Sequence, residues 1–182
     1  QAAALDGQGR ILVAGSTATD ACSYVGRFTA NGALDSTFGN GGFHVDCPAA
    51  GHGITYWDLA VDASNRPVVA GRYSDTSGDL GVRSSVLVRR LTSAGQPDAT
   101  FNGGNAYLRS IGDITNSHDA GGAVAFDASG RIYVGAMAEG ASMDSMIVLR
   151  LTATGVGDSA CGSSGAVHVG SIAGSSFFPS AI

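Results

Sequence analysis

Residues 127–135 read "DASGRIYVG", and the phrase has two counterparts, "DASNRPVVAG" at 62–71 and "DGQGRILVAG" at 6–15. Each opens on Asp, places Gly or Asn three positions later, follows it with Arg, and then runs into apolar and β-branched residues. An Asp side chain at the head of a tight turn accepts backbone N–H bonds, and Gly or Asn at the fourth place tolerates positive φ. The phrase is therefore a turn followed by a strand, written three times.

A second phrase follows each opening. It reads "GRFTANGALDSTFGNGGFHV" from Gly26, "RRLTSAGQPDATFNGGNAYL" from Arg89 and "LRLTATGVGDSACGSSGAVHV" from Leu149. Arg27, Arg90 and Arg150 align, 63 and 60 positions apart, as do Thr29, Thr92 and Thr152, Gly32, Gly95 and Gly155, and Asp35, Asp98 and Asp158. Self-similarity on this scale marks a propeller or a solenoid. Each unit reads as four strands: A ends in "WDLAVD" or "GGAVAFD"; B is "RILVAG", "RPVVAG" or "RIYVGA"; C is "YVGRFT", "VLVRRL" or "MIVLRL"; D is "GFHVD", "NAYLRS" or "AVHVG". Period-2 alternation and β-branched residues favour strand over helix. Four short antiparallel strands per repeat describe a β-propeller blade better than a sandwich, and solenoid coils are usually shorter. The expected fold is all-β, a propeller of about three four-stranded antiparallel blades forming part of a larger ring. The blades fall at about 1–47, 52–112 and 118–172, with 173–182 starting another.

The phrases resemble the delta-60 repeats of large bacterial secreted and surface proteins. The resemblance is clearest at "GRILVAG" with "NGALDSTFGNGG" and at "RPVVAG" with "AGQPDATFNGG"; the third copy departs, with Cys161 where Phe38 and Phe101 stand. It implies a propeller-like protein outside the bacterial cytoplasm, extracellular, on the cell surface or periplasmic, and brings no agreed catalytic residues.

Composition narrows the function. Of 182 residues, 28 are Gly and 14% are charged, which suits many turns between short strands and argues against a helical bundle. The net charge is −5, all ten basic residues are Arg, and Glu139 is the only glutamate. Without a basic patch, nucleic acid is not an expected partner. No apolar run approaches the roughly 20 residues of a spanning helix. No signal peptide is legible, and Gln1 falls inside a repeat, which leaves an upstream segment open.

The recurring Asp and Arg residues read as structural, since one active site seldom needs three copies of each group. No phosphate loop, nucleophile elbow or HExxH occurs, and no cofactor is expected. Asp75 and Asp79, in "DTSGD", form at most a weak Ca²⁺ loop without regular ligand spacing. His52 and His118 precede Asp62 and Asp127 by 10 and 9 positions, with Asp119 beside His118. They enter strand A, where a channel-mouth site would lie, and an exposed-loop role is the plainer alternative. Tyr56 and Trp57 offer an aromatic face to a sugar or, alternatively, pack between blades. Cys22, in the B–C loop, and Cys47, after strand D, emerge on the same face of a four-stranded meander, so they are expected to pair; Cys161 should be a buried free thiol.

Three functions remain open: a non-catalytic module for structure or recognition, a propeller hydrolase or lyase using His52 and His118, and a carbohydrate-binding propeller. The ligand would be a glycan or a protein. "AGSSFFPSAI" at the C-terminus resembles the approach to a strand A whose second half is the N-terminal "QAAALDGQGR". Three blades left open would expose apolar faces. The end blades are expected to pack on further blades, either from a second copy or from a continuation of the chain.

Overall fold

The computed structural model describes residues 1–17, 22–77, 83–111, 119–138 and 144–172, and all structural statements refer to these. Twelve strands form three sheets of four. The first holds β1 (Ala2–Leu5), β2 (Ile11–Ser16), β3 (Ser23–Phe28) and β4 (Phe43–Asp46). The second holds β5 (His52–Val61), β6 (Pro67–Asp75), β7 (Arg83–Arg90) and β8 (Tyr107–Arg109). The third holds β9 (Ala120–Phe126), β10 (Ile132–Ala138), β11 (Asp144–Leu151) and β12 (Ala166–Ile172). Each sheet is an antiparallel meander in chain order, as expected of propeller blades.

The A–B turns form as their composition dictates. Asp6 Oδ1 accepts N–H bonds from Gln8 and Arg10 at 2.9 and 3.0 Å, and its Oδ2 accepts from Arg10 Nε. Asp62 does the same for Ser64 and Arg66, and Asp127 for Ser129 and Arg131. The fourth residues take φ of 73°, 60° and 74° at Gly9, Asn65 and Gly130. Arg27, Arg90 and Arg150 pair within their own blades, with Asp35, Asp98 and Asp158, at 2.7–2.8 Å.

Two apolar layers hold the sheets together. Leu12, Ala14, Val25, Phe38, Leu59, Val69 and Leu87 fill the space between the first and second sheets. Val68, Ala70, Val86, Val88, Phe101, Val134 and Leu149 fill that between the second and third. Successive residues of β6 point to opposite faces, so Val68 and Ala70 enter one layer and Val69 the other. That explains the unbroken apolar run "PVVA": the middle sheet is covered on both faces. In β2, by contrast, Leu12 and Ala14 are buried while Ile11 and Val13 are only half-buried.

Blade is locked to blade by a repeated clasp at the C–D hairpins. Arg27 Nη1 donates to the Ser93 carbonyl of the next blade, and Gly39 N–H to the Ala94 carbonyl at 2.8 Å. One repeat on, Arg90 Nη1 donates to the Ala153 carbonyl at 2.6 Å and Asn102 N–H to the Thr154 carbonyl at 2.8 Å. Gly95 and Gly155, both buried, then lie on the rings of Phe38 and Phe101. A Cβ at Gly95 would fall 2.9 Å from the Phe38 ring, and one at Gly155 2.5 Å from the Phe101 ring. The same rings stack beneath Arg27 and Arg90 at 4.7 and 5.1 Å.

Strand A of the second blade runs from His52 into the "WDLAV" stretch, with a bulge at Trp57 in its pairing with β6. One sequence expectation needs correction. Cys161 is free but only half-buried. Phe38 and Phe101 are sealed by the glycine of the following blade, and among the described residues no fourth hairpin covers Cys161.

Candidate functional site

Every unit repeats the turns and ion pairs, so a site must lie where the repeat breaks. It breaks most sharply between the first and second blades. Arg89 stands where Gly26 and Leu149 stand, His44 where Tyr107 and Val167 stand, and Asp46 where Arg109 stands. These three side chains and Tyr56 converge. The Asp46 carboxylate accepts the Tyr56 hydroxyl bond, lies 2.8 Å from Arg89 Nε and 3.3 Å from His44 Nε2. Neither nitrogen is aligned for a hydrogen bond to the carboxylate; the Arg89 contact is an ion pair, and the His44 ring lies beside it.

Local structure explains why they meet. Asp46 ends β4, and Arg89 lies near the end of β7 on the neighbouring sheet. Tyr56 is placed by the first sheet: its N–H donates to Ser16 Oγ and Ser23 Oγ at 3.1 Å, and Ser23 Oγ donates to the Ile54 carbonyl at 2.8 Å. Burial pushes the Asp46 carboxyl up, but His44, Tyr56 and the Arg89 charge more than offset it, leaving its pKa below the ordinary value. Burial and the Asp46 charge drive the Tyr56 phenol well above its ordinary value, against the opposing pull of Arg89. Tyr56 is thus a fixed donor.

Beside this cluster a half-open cleft of about 310 Å³ is lined by Asp46, Arg89, Tyr73, Asn105, Ile54 and Leu87 among others. Tyr73 lines the cleft and is held by His52. Their rings stack at 5.5 Å, and Tyr73 Oη lies 2.9 Å from His52 Nδ1. Asp75 Oδ1 lies 3.3 Å from the same nitrogen. Cys47 also lines the cleft, and its disulfide with Cys22 ties the end of β4 to the β2–β3 loop with Cα atoms 4.4 Å apart.

The residues singled out in the sequence are distributed as follows. His52 and Asp75 sit together behind Tyr73, and His118 and Asp79 lie outside the described residues. Asp75 accepts the Ser77 hydroxyl and N–H bonds, which, with Ser77 as the largest influence, hold its carboxyl below the ordinary value. Asp119 is fully buried and accepts the Ile111 N–H at 2.6 Å, joining the chain on either side of residues 112–118. Tyr56 is 1% exposed and faces inward to Asp46, while half-buried Trp57 lies under Arg72 at 5.6 Å. Among the described residues, no three His, Cys, Asp or Glu side chains gather around a common point that would hold a metal ion. Sequence reasoning missed Asp46, Arg89 and Tyr73. The usable signal was negative: aligned repeats show Arg89 as the intruder in a Gly or Leu position.

Comparison with known families accords with this architecture. Residues 9–38, which run from the end of the first turn through β2 and β3 to Phe38 of the following hairpin, match a family model described as a domain of unknown function (DUF5122) beta-propeller. No curated protein matches the chain. The three four-stranded sheets are accordingly blades of a β-propeller.

Proposed function

We propose that the chain is a non-catalytic propeller module of a secreted or cell-surface bacterial protein, acting in structure or recognition. The observation that carries this reading is the state of the charged groups where the repeat breaks. Asp46 is engaged by Tyr56, Arg89 and His44 at once, and its lowered pKa keeps it from serving as a proton donor near neutrality. A pre-paired acid and base beside an aromatic wall suits binding of a hydroxyl-rich ligand: the pair fixes orientation and Tyr73 offers a face. A glycan fits that chemistry. The Cys22–Cys47 disulfide and the resemblance to delta-60 repeats support an oxidising, extracytoplasmic setting. No helix among the described residues is long and apolar enough to cross a membrane. In this reading further blades, from a second copy or from a continuation of the chain, complete the ring.

A glycan array followed by titration of any hit tests the recognition reading. Saturable binding that falls about tenfold in Arg89→Leu supports it, since one charge-assisted hydrogen bond contributes roughly 1.5–3 kcal/mol. Turnover of a glycan or ester substrate that disappears in His52→Ala would instead establish the hydrolase or lyase alternative.

A further inference from the structure

The clasp between blades has two halves, and among the described residues one copy of each is not engaged. The plug is the hairpin at 92–96 or 152–156, which presents two carbonyls and a glycine. The socket is an Arg, a Phe and a following N–H on the preceding blade. In the first blade the plug at 29–33 has the same turn, with Gly32 N–H donating to the Thr29 carbonyl at 2.9 Å and φ of 81°, as at Gly95. Yet Gly32 is exposed, and a Cβ there would meet nothing within 4 Å. In the third blade the socket residues Arg150, Cys161 and Gly162 hold the same places. The Arg150 side chain is 17% exposed, against 4% and 2% for Arg27 and Arg90.

We propose that the socket of the third blade receives the 29–33 hairpin of a second copy of this chain, while its own hairpin enters the partner's socket. Arg150 donates to the Ala30 carbonyl of the partner subunit, Gly162 N–H donates to the partner's Asn31 carbonyl, and the partner's Gly32 covers Cys161. Two such head-to-tail junctions bring six blades together, a number within the range of 4–8 seen in propellers. The occupant is chosen by complementarity: the exposed plug on one side of the three-blade unit has the same turn as the two hairpins already seated inside it. The proposal rests on the reading that these blades belong to a larger ring.

Sedimentation equilibrium of the chain over a wide concentration range tests it. A reversible dimer is expected. Gly32→Val and Arg150→Ala should each weaken it at least about tenfold, and mixing the two should restore a heterodimer through the one clasp left intact, a rescue that only folded variants can give. Cys161→Phe should tighten the dimer about tenfold by rebuilding the ring beneath Arg150 and the partner's Gly32. Cys161 should also react more slowly with a thiol reagent as protein concentration rises. A monomer at all concentrations, unchanged by Cys161→Phe, would overturn the assembly and the copy-built ring with it. A dimer indifferent to Gly32, Arg150 and Cys161 would overturn the clasp while leaving the ring reading and the glycan reading standing.

Discussion

Tyr56 shows how a single buried hydroxyl can govern a site. It donates to Asp46 from a position set by Ser16 and Ser23, and it cannot ionise in the physiological range. Tyr56→Phe removes that donor and leaves a largely buried carboxylate with one fewer partner. The expected cost is about 1–2 kcal/mol at pH 7. Its pH dependence has a definite sign. The folded-state pKa of Asp46 lies below its unfolded value, so its contribution is present above about pH 4 and is lost as pH falls through the folded pKa. The variant has less to lose, so its stability gap to the parent should narrow between about pH 5 and pH 3. Urea unfolding of both proteins across that range measures it.

At the scale of elements, the first blade depends on a covalent tie that the other two do without. Its outer strand β4 has only four residues, with Val45 exposed, and pairs with β3 alone. The Cys22–Cys47 disulfide holds the end of that strand to the loop before β3 across 25 positions. Closing a loop of this length contributes roughly 3 kcal/mol in the chain-entropy picture. Cys22→Ser with Cys47→Ser is expected to lose about that much. Because Asp46 and Cys47 are neighbours, hydrogen exchange should rise first at β4 and at the cleft, before β6 or β10 respond. Mass-resolved exchange of the two proteins checks the order.

Across the whole molecule, five of the repeated carboxylates shift in the same direction. At Asp6 and Asp127 burial opposes ionisation, but turn N–H groups and the partner arginine outweigh it, and at Asp98 the Thr100 hydroxyl and N–H do so together with Arg90. At Asp35 a bond from Thr37, and at Asp158 one from the Ala160 N–H, is the largest influence, and both pKa values are lowered. All five stabilise the fold above about pH 4 and cease to do so together as acid protonates them. The melting temperature should stay nearly level from about pH 8 to pH 5 and then drop steeply below pH 4, as scanning calorimetry would record. The repetition that concentrates this acid lability also made the architecture readable. Turns, strands and the cysteine pairing are local patterns written three times or set by one meander, so alignment of the copies exposed them. The cleft was not readable in that way, because Asp46, Arg89 and Tyr73 come from two different units and depart from the repeat. The same limit applied to Cys161, whose burial depends on a neighbouring hairpin and not on its own blade.

The clasp runs in one direction only, each Arg–Phe socket facing forward to the next glycine hairpin. A genetic duplication from one such Arg to the next would therefore insert a unit that arrives with a fitting socket and a fitting plug. Unequal crossing-over can lengthen or shorten the array without redesigning any junction, and a damaged glycine harms one joint and spares the others. The period of the sequence repeat and the seam of the fold coincide, so each unit carries one socket and one plug.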